Sequence, residues 1–79
     1  MEDISIRNAR WLAARLHALK GSWVKAAEGT TLDPSSLWKL AQGKTASVTA
    51  PVLRALCAAA GEEPSVAISV DLRTLRGEP

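Results

Sequence analysis

Any chemistry in this chain would have to rest on very few side chains. His17 is the single histidine and Cys57 the single cysteine among 79 residues. One thiol cannot close an internal disulfide, and one Cys with one His is too small a ligand set for a zinc site. No carboxylate pair stands with a base, no glycine-rich stretch has the spacing of a phosphate loop, and His17 has no evident Ser or Cys partner. The expectation is a chain that is not an enzyme and has no metal or cofactor. A single unpaired cysteine fits a reducing compartment.

Charge is the remaining chemical resource. The formal net charge is only +2, but its distribution is uneven. From Arg7 to Arg54, eight basic residues (Arg7, Arg10, Arg15, Lys20, Lys25, Lys39, Lys44 and Arg54) face two acids, Glu28 and Asp33, a net of +6. The other acids lie near the two ends. A basic centre between acidic flanks suits a polyanion, although clustered charge is also what an ordinary solvated surface shows.

These charges must be positioned by a small fold. The length allows one domain, residues 1–79, whose core contributes little net stability on its own. With disulfide and metal excluded, a partner subunit is the remaining support, and a homodimer is expected. Alanine is abundant and Phe and Tyr are absent, a composition suited to short, closely packed helices. No apolar run is long enough to span a bilayer. Met1-Glu2-Asp3 lacks the basic start of a secretory signal. A cytoplasmic location without membrane attachment is expected.

The periodicity predicts four helices. The first runs from about Ser5 to Lys20, with Ala9, Leu12, Ala13, Leu16 and Leu19 as its apolar stripe and Arg7, Arg10 and Arg15 away from it. Gly21 stops it. Ser22 caps a short helix, Trp23 to Glu28, in which Val24, Ala26 and Ala27 face inward, and Gly29-Thr30-Thr31 ends it. Asp33-Pro34 is the clearest local signal: an N-cap carboxylate followed by proline at the first helical position. The third helix spans Pro34 to about Gln42, with Leu37 and Leu40 as core pair, and Gly43 terminates it. Thr49 caps a fourth helix carrying Val52, Leu53, Leu56, Cys57 and Ala60, ended by Gly61.

The period then changes. Val66, Ile68, Val70 and Leu72 alternate with smaller or polar residues, which reads as a β-strand in a C-terminal segment of about 64–76. Its partner would be the same strand of a second subunit or the Ile4-Ser5-Ile6 alternation. The competing reading is a fifth helix starting near Pro64. In the strand reading, Val66, Ile68, Val70 and Leu72 form the dimerisation element.

Two short helices joined by a tight turn, flanked by longer ones, form the pattern of a helix-turn-helix over about 22–43. The second helix of such a pair enters the DNA major groove, and helix N-termini offer N–H groups to phosphates. At this point Gly21 to Ala60 resembles the phage Cro/repressor-type (XRE-type) family. The resemblance lies in Gly21-Ser22-Trp23-Val24-Lys25-Ala26-Ala27-Glu28, in Thr31-Leu32-Asp33-Pro34-Ser35-Ser36-Leu37-Trp38-Lys39-Leu40-Ala41-Gln42-Gly43-Lys44, and in Val52-Leu53-Arg54-Ala55-Leu56-Cys57-Ala58-Ala59-Ala60-Gly61. It covers about half the chain. Thr31 stands at the family's usual turn glycine, with Gly29 two residues earlier. Trp23 stands for the usual glutamine, and Ala41-Gln42 for the usual acidic residue before the glycine.

The resemblance implies a mainly α, lambda-repressor-like domain of four to five helices that represses transcription as a small dimer on an inverted-repeat operator in double-stranded DNA. It implies base contacts from Ser35, Ser36, Trp38 and Lys39. It implies backbone contacts from Ser22, Trp23, Lys25, Gln42, Lys44 and Thr45. Each has a plainer alternative. Trp38 can cover the core edge, Trp23 can pack on the first helix, Ser35 and Ser36 can simply help the helix start, and Lys39 and Lys44 can be solvated charges. Trp11 reads as core or dimer surface, His17 as a surface or semi-buried residue, and Cys57 as a small core residue. The rival function is an antitoxin or protein-binding module of the same shape, whose partner would be a toxin or another regulatory protein.

Overall fold

A computed structural model describes residues 3–77 of the chain. α1 (Ile4–Lys20) begins where the Asp3 carboxylate accepts the Ser5 N–H at 2.8 Å. Ile6, Ala9, Leu12, Ala13 and Leu16 are buried along one stripe. Leu19, expected in that stripe, is 58% exposed, because the helix has by then run past the core. Gly21, in the left-handed region with φ 83°, ends α1 by donating its N–H to the His17 carbonyl. α1 packs against all the other helices described.

α2 (Trp23–Glu28) and α3 (Pro34–Ala41) come next, with the starts expected from Ser22 and Asp33-Pro34. Ala26 and Ala27 face inward and Trp23 packs on the core from the start of α2, but Val24 is 61% exposed. Leu37 and Leu40 of α3 are buried, and Gln42 is its C-cap rather than its last turn. α4 (Ala50–Ala60) buries Leu53, Leu56 and Cys57 and half-buries Val52 and Ala60. Thr49 holds the N-cap position without a side-chain capping bond. Burial pushes the Cys57 thiol up, and Glu62 and Glu63 add to this. Cys57 is thus a neutral, small core residue.

The C-terminal segment overturns the strand expectation. Residues 64–75 form two short helices, α5 (Pro64–Ala67) and α6 (Leu72–Leu75), and no strand occurs among the described residues. Ile4-Ser5-Ile6, the other proposed strand partner, belongs to α1. The physical reason is a contest between propensity and long-range contacts. Pro64 sits at the first position of a helix after the extended Glu63, a start that suits proline. Buried Asn8 then fixes the path of the chain from Ala67 to Leu72. Its amide donates to the Ala67 carbonyl at 2.6 Å and the Val70 carbonyl at 2.8 Å, and its oxygen accepts the Leu72 N–H at 2.9 Å. Asp71 caps α6 by accepting from the Arg73 and Thr74 N–H groups. The alternating residues share no face: Leu72 is buried, Val66 half-buried, and Ile68 and Val70 exposed.

Candidate nucleic-acid interface

The candidate surface is built on α3. Burial of Leu37 and Leu40 fixes the rotation of the helix, so Ser35, Trp38, Lys39 and Gln42 fall on its open side. Asp33 fixes the start by accepting the Ser36 N–H at 2.7 Å. That bond, with the Ser36 side chain and nearby Lys39, holds the Asp33 carboxyl below its ordinary range, against a slight opposing effect of burial. The Ser36 N–H is committed to a carboxylate, so it is not an open donor for phosphate. At α2 the Ser22 hydroxyl likewise accepts the Lys25 N–H at 3.1 Å.

The ten residues singled out by sequence are not all brought to one place. Ser36, Lys39 and Thr45 come together along a groove of about 300 Å³ between α3 and the 42–49 loop, over an apolar floor that includes Leu32, Leu40 and Val52. Trp38 and Lys44 pair on the adjoining flank, with the Lys44 ammonium 4.7 Å from the indole centroid. Ser35 and Gln42 are exposed on the same helix. Trp23 is drawn the other way. It stacks on His17 with ring centroids 4.1 Å apart and an interplanar angle of 25°. It thus packs on α1 while half-buried, as Ser22 is, and Lys25 of the α2 group is exposed.

Trp38 is 37% exposed, and its ring offers a face to the Lys44 cation. The electrostatic attraction of an ammonium to an indole face holds the loop after α3 against the helix.

The turn between α2 and α3 uses a device that sequence reading passed over. Gly29 has φ −87°, outside the left-handed region. Thr30 shapes the turn instead. Its hydroxyl donates to the Ala27 carbonyl at 2.9 Å and accepts the Leu32 N–H at 3.1 Å. A threonine directly after a helix-ending glycine is the available signal, since such hydroxyls bond nearby backbone. Gly29 matters for a different reason: a Cβ there would meet the Ala59 Cβ at 3.2 Å, so α2 ends in close approach to α4.

The dimerisation set needs a correction. Leu72 is fully buried in the chain's own core and is unavailable to a partner. Ile68 and Val70, at 60% and 40% exposure, remain on the surface together with Leu75 at 51%. No helix among the described residues is long and apolar enough to cross a membrane. Comparison with protein-family models, with curated proteins and with solved structures gave no match.

Proposed function

We propose that the chain is a sequence-specific double-stranded DNA-binding regulator of the helix-turn-helix kind, acting as a small dimeric repressor, with α3 as the groove-reading helix. The carrying observation is α3 itself: a short, capped helix whose two leucines are buried while Ser35, Trp38, Lys39 and Gln42 stand on its open side. A helix presented this way fits the major groove, and short polar and cationic side chains meet base edges there. Lys39 is the group able to reach guanine acceptors. Lys44, Thr45 and Lys25 serve the phosphates. Contacts of this kind make affinity fall with salt.

Serine hydroxyls discriminate weakly, so part of the specificity in this reading comes from DNA shape. The exposed Ile68, Val70 and Leu75 are the residues proposed for the dimer contact. A dimer would set two copies of α3 about 34 Å apart, one turn of duplex. The test is selection from a random double-stranded pool with the purified protein. An enriched inverted repeat is expected. Recovery of unenriched sequence at every salt concentration would refute sequence-specific reading.

A further inference from the structure

A second basic surface lies apart from the open side of α3. One face of α1 carries Arg7, Arg10, Trp11 and Arg15, and α6 adds Arg73 across a groove of about 540 Å³. Among the described residues, Asp71 is the only acid on its walls. The groove reaches α3 only at Ala41, in the last turn, whereas Ser36 and Lys39 line the separate groove described above. We propose that this arginine-lined groove is a docking site for an acidic, helix-forming segment of a partner protein.

Three observations favour that occupant. The first is chemical. All four cations in the groove are arginines, whose planar forks match carboxylates two bonds at a time. Within the groove, Arg7 already pairs with the Asp71 carboxylate at 2.8 Å. The second is shape. Ala14 and Ala18, one turn apart on α1, and Ala41 form a floor of small residues, which lets a second backbone come close. From Arg7 to Ala18 the stripe is about 17 Å long, roughly three helical turns. The third is placement of the aromatic. The Arg15 guanidinium lies over the Trp11 ring, 5.4 Å from its centroid, so a cation and an aromatic ring are presented as one unit. An amphipathic helix with glutamates beside leucines matches both. A continuous phosphate backbone has no apolar face to set on Trp11.

The site does not depend on the DNA reading, and the three tryptophans allow the two to be tested separately. Trp11 lies in this groove, Trp38 on α3, and Trp23 against His17. The probe is a fluorescein-tagged peptide of about 14 residues, glutamate, leucine and alanine arranged as one acidic amphipathic helix about 21 Å long. It is titrated into the full ¹⁵N-labelled chain, with the indole N–H signals assigned through Trp→Phe variants. The expected result is movement of the Trp11 indole with Trp38 unmoved. Arg15→Glu with Arg73→Glu should weaken the peptide about tenfold or more, because each reversal replaces an attraction with a repulsion. Arg15→Gln with Arg73→Gln should give a smaller loss with the native circular dichroism kept. Lys39→Ala with Lys44→Ala should leave the peptide affinity unchanged. Equal affinity for the native and Arg-substituted chains would overturn the proposal. Displacement of the peptide by a random-sequence duplex would also overturn it, and would assign the groove to DNA.

Discussion

α1 to α4 and the α5–α6 segment are held by different physics. The first four helices bury leucines and alanines against one another around α1, with a cap or a left-handed glycine at most of their ends. The last two helices span four residues each and contribute mainly Ala67 and Leu72 to the core. What places them is polar: three hydrogen bonds from one buried asparagine, the Arg7–Asp71 pair and the Arg76–Glu62 pair. Area-driven burial is spread over many contacts, whereas the tail rests on a few, with Asn8 making three of its hydrogen bonds. The difference predicts that the tail opens before the α1–α4 core.

The largest effect should come from the leucine core. Leu12→Ala or Leu56→Ala removes a fully buried side chain and should cost about 3–5 kcal/mol. Such a loss approaches the total stability of a domain this small, so urea unfolding should show a near-complete collapse of the folded baseline. Next is Asn8→Ala. It leaves two carbonyls and one N–H of the tail without their bonds, at a cost of about 1–3 kcal/mol. Hydrogen exchange should accelerate at the Leu72 amide far more than at the α4 amides. Uniform acceleration would erase the distinction between the two regions.

The proposed DNA surface belongs to the first region, and Lys39 and Lys44 are exposed, so its variants should leave the fold intact. Lys39→Ala should relax base preference by about 1–3 kcal/mol of discrimination. Lys44→Ala should weaken all sequences alike and reduce the salt slope by about one. Paired binding titrations against selected and scrambled duplexes separate these outcomes.

Acid should produce the smallest effect, read at the start of α3. The folded carboxyl of Asp33 is held below its unfolded range by the Ser36 N–H. Its contribution is therefore present above the unfolded value, about 3.9, and is lost as pH falls through the lower folded value. The start of α3 should loosen below about pH 4, whereas Asp33→Asn should lose that pH dependence. The Asn8 bonds do not titrate, so the contact that pins the tail should persist over the same range. Amide shifts of Ser36 and Leu72 monitored together check both statements.

Legibility in the sequence divides along the same line. Caps and glycines are local signals, and Ser22, Asp33-Pro34, Gly21 and Gly61 placed α1–α4 close to their observed ends. The stripes of Leu12, Leu16, Leu37, Leu40 and Leu56 read correctly because burial is periodic. The tail misled because Val66, Ile68, Val70 and Leu72 alternate as a strand would, while the decisive contact comes from Asn8, at the far end of the chain. A polar residue inside an apolar stripe gives no local hint of its partner. At the candidate site, the open side of α3 was legible from the leucine spacing. The stacking of Trp23 on His17, the Thr30 turn and the Lys44–Trp38 contact were not, because each depends on tertiary placement of side chains.

The central claim is that the open side of α3 is the DNA surface. A ¹⁵N correlation titration of the full chain with a duplex of about 20 base pairs tests it most directly, at moderate salt where phosphate contacts persist. The predicted result is movement of the Trp38 indole and of backbone amides across 35–45, with the Trp11 and Trp23 indoles held still. Unchanged signals across 35–45, or shifts confined to the Trp11 face of α1, would contradict it.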